Sequence, residues 1–101
     1  MIRALTFTPE AQTELCALSQ NYFAIRAELG DRFNRAFDAV IALIEKYPEV
    51  GSQVLRHSRR IKLKKFPYHI YYRFKKHQVV IWAIFHAHRD LKPLRKMEKL
   101  R

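Results

Sequence analysis

The sequence holds two glycines, Gly30 and Gly51, and a single cysteine, Cys16. So few glycines exclude the glycine-rich phosphate loops of nucleotide-cofactor folds. One cysteine excludes an internal disulfide, and no Cys or Glu cluster stands near any histidine to complete a zinc site. At its interior helical position Cys16 is expected to be a small buried thiol. There is no Ser-His-Asp order and no carboxylate pair. No cofactor and no metal are expected. The longest apolar run, residues 79–85, is too short to cross a bilayer, so no membrane partner is expected. The opening MIRALTFTPEAQ turns polar before a secretory core can form, which points to a cytoplasmic location.

Acidic residues are scarce in one half only. Residues 1–50 carry five Lys and Arg against seven Asp and Glu, whereas residues 51–101 carry fifteen against two. The first half reads as ordinary protein surface and the second as a surface for polyanions or an acidic partner. Nearly half of the 101 residues are hydrophobic, enough for one packed domain and not for two. A basic tail begins at about residue 91 and can form a short helix with Leu94 and Met97 as its contacts.

IRALTFT, residues 2–8, alternates as a short strand. Thr8-Pro9-Glu10 then opens a helix with a hydroxyl at the N-cap, proline at the first position and a carboxylate in the first turn. Its stripe runs Ala11, Leu15, Leu18, Tyr22, Ile25, Leu29. Gly30 is expected to stop it and Asp31 to cap a second helix with Phe33, Phe37, Val40, Ile44 and Tyr47 on one side, ended by Pro48. A polar linker is expected to reach Ser58.

From Arg59 the period changes to two. RRIKLKK sets Ile61 and Leu63 against Arg60, Lys62 and Lys64. YHIYYRF sets Ile70, Tyr72 and Phe74 against His69, Tyr71 and Arg73. A longer hairpin loop is expected around residues 75–78, since Asn-Gly and Asp-Gly are absent. VVIWAIFH, apolar on both faces, reads as the central strand, with Trp82 in the core. The order is β-α-α-β-β-β: an α+β fold with a helical hairpin on one face of a four-stranded, mainly antiparallel sheet. The opposite face is expected to stay open and to present Arg60, Lys62, Lys64, His69, Tyr71 and Arg73 to a target or nucleic acid, with aromatics among the cations for stacking. His86-x-His88-Arg89 at the strand end suits metal-free acid–base cleavage of RNA, two imidazoles exchanging protons while arginine steadies the phosphorane charge.

FTPEAQTEL, IEKYPEVG, RRIKLKKFPYHIYYRF and VVIWAIFHAHRD, taken in this order over residues 2–90, resemble the RelE/ParE toxin superfamily of bacterial type II toxin–antitoxin systems. The resemblance implies the fold just derived, growth arrest, and neutralisation by a cognate antitoxin. In RelE-like members, which cleave mRNA on the ribosome, basic residues follow the helices; Arg60 and Lys62 match these, and Arg89 matches the arginine after the last strand. His69 stands where the middle strand has arginine, with Arg73 four residues on, and no tyrosine follows Tyr72. YPEVG, FPYHIYYRF and FHAHRD look closer to ParE-like members, which inhibit DNA gyrase. Gyrase inhibition is thus the favoured expectation. A ribosome-dependent endoribonuclease using His86, His88 and Arg89 is the alternative, and a non-toxic nucleic-acid-binding protein a further one.

Overall fold

The computed structural model describes residues 4–101. The elements run β1 (Ala4–Phe7), α1 (Pro9–Ile25), α2 (Ala27–Lys46), β2 (Ser52–Leu55), β3 (Ser58–Lys62), β4 (Tyr68–Lys75), β5 (Gln78–His86) and α3 (Leu91–Leu100). Ile2, expected in the first strand, lies outside the described residues. The strands form one sheet in the order β1-β5-β4-β3-β2. β1 runs parallel to β5, and the remaining neighbours are antiparallel.

Thr8 caps α1 as its hydroxyl predicts, accepting the Ala11 amide at 3.2 Å. Its own amide donates to the Ile81 carbonyl at 2.9 Å, which ties the start of the helix to the central strand. The helix–helix junction differs from expectation. α1 ends at Ile25, Arg26 is extended, and α2 runs straight through Gly30 and Asp31. Gly30 acts in packing rather than termination, because a Cβ there would enter the Phe23 ring at the tight reversal. Ending early leaves Ile25 66% exposed instead of on the stripe. Cys16 is exposed as well, one position off that stripe, so the expectation of a buried thiol fails.

In α2, Phe33, Phe37, Val40 and Ile44 are all buried at steps of four and three. They meet Ile70, Tyr72, Val79 and Ile81 of the sheet in the larger core. Each such side chain contributes roughly 1.5–3 kcal/mol on burial. Tyr47, expected on the same stripe, is instead the exposed C-cap residue.

Two further expectations change. The polar linker before Ser58 contains β2, so the sheet has five strands among the described residues, not four. Ser52 and Gln53 lack apolar alternation, yet they pair with Arg60 and Arg59, which supply the backbone partners. The β4–β5 connection is also shorter than expected. Lys75 pairs with Gln78, leaving a two-residue turn with Lys76 at φ 56°, a left-handed position here held without glycine.

The second face of the sheet is not open across its width. α3 covers its middle, and Leu94 meets Tyr71, Trp82, Ala83, Phe85 and Leu55 in a second core. The register places Tyr71 opposite Ala83 and Tyr72 opposite Ile81, so Trp82 is an extra residue in β5. That bulge lets Trp82 and Ala83 both enter the α3 side. Trp82 is fully buried, as its sequence position suggests, and its indole donates to Ser58 Oγ at 2.9 Å. Leu94 and Met97 make the contacts expected of a short C-terminal helix.

Candidate functional site

Beyond the edge of α3, one end of the sheet face stays accessible. Antiparallel pairing sets Lys62 opposite His69, His69 opposite Phe85 and Arg60 opposite Tyr71. Paired residues share a face, so a row forms across three strands: Lys62, His69, Phe85. Arg89, three residues past β5, folds back with its guanidinium 3.8 Å from the centre of the Phe85 ring. Arg60 and Lys62 thus stand beside one imidazole, with Arg89 over the neighbouring Phe85 ring.

The His69 ring meets Tyr71 edge to face at 6.1 Å. Its Nδ1 is buried and has no hydrogen-bond partner among the described residues. Desolvation, then the charges of Arg60 and of Lys62, hold its pKa below the ordinary histidine value. In its neutral form, which the lowered pKa favours, the ring has one donor and one acceptor beside the two cations. Lys62 Nζ reaches the carbonyls of Leu63 and Phe66, each at 3.2 Å, which fixes it at the strand end. Such a cluster suits an incoming carboxylate or phosphate.

The other residues singled out from sequence go elsewhere. Tyr71 is completely buried, and its hydroxyl lies 3.4 Å from Arg60 Nη1. It supports the site from below and is no stacking platform. Arg73 is on the expected face, but it donates to the carbonyls of Glu98 and Arg101 at 3.1 and 3.2 Å, which holds the end of α3. Lys64 has left the strand: β3 ends at Lys62, and the chain reverses with Lys65 at φ 67° ahead of Pro67. Proline cannot donate to a ladder, so the strand stops short and Lys64 turns to the α2 side.

His86 pairs with Tyr68, on the opposite face from His69. Its ring meets Tyr68 edge to face at 5.7 Å and lies 5.3 Å from His88. Its Nδ1 accepts the His88 amide at 3.1 Å. The strand-end trio is therefore divided, with both histidines on the Tyr68 side and Arg89 over Phe85.

A groove missed in the sequence lies between α2 and the chain following β3. It measures about 630 Å³, with Ala36, Val40, Leu43, Ile61 and Phe66 among its apolar walls. Arg32, Arg35, Lys62, Lys64 and Lys65 line it too. Arg32 and Arg35, one helical turn apart, were the available signal; only a fold brings them beside the lysines. Among the described residues no helix is long and apolar enough to cross a membrane, and no group of three metal-ligating side chains occurs.

Comparison with curated protein sequences finds no match. Among solved structures the chain is similar to one described as the chromosomal ParDE TA system from P. aeruginosa, with a TM-score of 0.61 and 16% identity, covering 84% of this chain and 96% of the other. That likeness concerns the fold. The family model described as the ParE toxin of type II toxin–antitoxin system, parDE, matches residues 5–91. The five-stranded fold and its match along most of the chain lead to one assignment: this chain belongs to the ParE toxin family, within the RelE/ParE superfamily.

Proposed function

We propose that the protein arrests bacterial growth from the cytoplasm by inhibiting DNA gyrase, and that a cognate antitoxin neutralises it. The observation that carries the gyrase reading over RNA cleavage is the composition of the His69 cluster. It sets two cations beside one imidazole and a third over the adjoining Phe85 ring, while His86 and His88 pair with each other on the opposite face. Acid–base cleavage of RNA needs two proton-transferring groups. Beside His69, the Tyr71 hydroxyl is buried and Lys62 Nζ is held by the carbonyls of Leu63 and Phe66, so neither is placed to be the second. Recognition needs only cations, so Arg60, Lys62 and Arg89 are the residues we assign to target contact, with Tyr71 supporting them from below, while Arg73 holds α3 and Lys64 faces the α2 groove.

A toxin of this family implies an antitoxin partner. The α2–β3 groove offers that partner an apolar floor and a basic rim, which fits an acidic amphipathic segment.

One assay tests the reading. Purified protein is added to gyrase with relaxed plasmid, and in parallel to a translating extract with labelled mRNA. Loss of supercoiling with intact mRNA supports it. Cut mRNA with normal supercoiling overturns it and turns attention to His69, His86, His88 and Arg89 as catalytic groups. Activity in neither assay would leave a nucleic-acid-binding protein with a toxin's fold.

A further inference from the structure

The outward side of α3 has no place in either proposed contact. Lys92, Arg95, Lys96 and Lys99 recur at i, i+3, i+4 and i+7, so they share one side of the helix, and all four are exposed. The opposite side is held against the sheet by Leu94 and Met97. Arg56, in the turn between β2 and β3, shares a shallow depression of about 550 Å³ with Arg95 and Lys99.

The acids nearest this stripe are engaged by backbone amides. Asp90 caps the helix by accepting the Lys92 amide at 3.0 Å. Glu98 lines the depression shared by Arg56, Arg95 and Lys99, but it is buried and accepts the His57 amide at 3.1 Å. Among the described residues the two side-chain ion pairs are Arg32–Glu28 and Arg101–Glu14, and neither touches the stripe. α2 is the internal contrast, since its surface mixes both signs and carries an i, i+4 ion pair. On α3, Lys92 with Lys96 and Arg95 with Lys99 are like charges at that same spacing, an arrangement that destabilises an isolated helix. Lys92 also sits at the positive end of the helix dipole.

We propose that this side of α3, with Arg56 beside it, docks on the phosphate backbone of duplex DNA without reading sequence. The stripe spans roughly 10 Å, over which a duplex presents about six charges. It contains no apolar side chain, and Leu100 stands only at its far end, so it lacks the ledge that an acidic amphipathic helix or a lipid surface would use. The reading is independent of gyrase, and the assay contains none.

Fluorescence anisotropy of a labelled mixed-sequence duplex, titrated with the full chain over a range of salt, tests it. Five phosphate contacts give a slope of roughly −4 to −5 in log K against log salt. Lys96→Ala with Lys99→Ala makes that slope shallower by about 2 and weakens binding on the order of 50-fold near 0.1 M salt. Circular dichroism should not change, because both positions are exposed. Arg26→Ala with Lys46→Ala, both exposed at the ends of the helical hairpin and in neither proposed contact, is the control of equal charge and leaves the slope as it was. Equal losses from both pairs overturn the proposal, since net charge alone then explains binding. So does a slope indifferent to the α3 pair. Competition by polyglutamate or anionic vesicles as effective as that by unlabelled duplex overturns it in favour of an acidic protein or a membrane.

Discussion

Arg101 and Glu14 are joined across the chain by N–H···O contacts of 2.9 and 3.1 Å from a single guanidinium nitrogen. The same carboxylate accepts the Ile84 amide at 3.1 Å, and Arg101 also reaches the Trp82 carbonyl at 3.2 Å. β1 stops pairing with β5 at Ile81, so this pair satisfies the edge of β5 where its strand neighbour ends. It also links α1, on one face of the sheet, to the end of α3 on the other.

Glu14→Ala should therefore destabilise the fold more than loss of an exposed ion pair would. Removing a hydrogen-bonded charge of low exposure, and leaving the Ile84 amide without its partner, costs about 2–3 kcal/mol. Urea unfolding followed by Trp82 fluorescence measures it. Arg101→Ala should cost less, because Glu14 keeps the amide. A loss under about 0.5 kcal/mol for Glu14→Ala would mark the pair as an ordinary surface contact.

Tyr72 and Gly51 make a second test. The Tyr72 hydroxyl donates to the Pro48 carbonyl at 2.7 Å and accepts the Gly51 amide at 2.9 Å. Tyr72→Phe should cost about 1–3 kcal/mol. A Cβ at Gly51 would lie 2.7 Å from that hydroxyl, so Gly51→Ala is destabilising for want of space. The double variant should lose less than the two single losses combined, because the hydroxyl takes part in both. Additive losses in the same urea experiment would refute the coupling.

His69 gives a pH dependence with a definite sign. Its folded-state pKa is lowered from 6.5, so below that value the unfolded chain binds the extra proton first. Stability is then complete above about pH 6.5 and is lost as pH falls through the lowered folded value. His69→Gln should flatten the difference in urea midpoint between about pH 7.5 and about pH 5.5. An unchanged difference would assign that slope to other groups. A rise in stability of the parent protein on acidification in this window would contradict the lowered pKa.

The groove beside α2 predicts a separation of toxicity from neutralisation. Arg35 is exposed and lines that groove. Arg35→Glu should weaken antitoxin binding by on the order of 2 kcal/mol, about 30-fold, with a smaller salt dependence. Gyrase inhibition should persist, since Arg35 lies on the helix side, where Lys62 alone of the cluster reaches the rim of the groove. Calorimetry with the antitoxin beside a supercoiling assay decides this. Parallel loss of both activities would place target and antitoxin on one surface.

The sequence by itself determined the helices, the strand periods and the charge division, because each depends on neighbours a few residues away. Thr8-Pro9, the α2 stripe from Phe33 to Ile44 and the alternation of residues 68–74 read correctly on that basis. β2 escaped because Ser52 and Gln53 owe their strand to Arg59 and Arg60 rather than to an apolar pattern of their own. Gly30 misled because a glycine's missing Cβ serves packing as well as termination, and only the nearby Phe23 ring distinguishes these roles. Tertiary structure alone decided the site. It buried Tyr71 under α3, turned Arg73 to the helix end and divided Arg89 from His86 and His88. Which charges gather around His69 is a matter of cross-strand register and of what α3 covers, and neither is written in the spacing of residues along the chain.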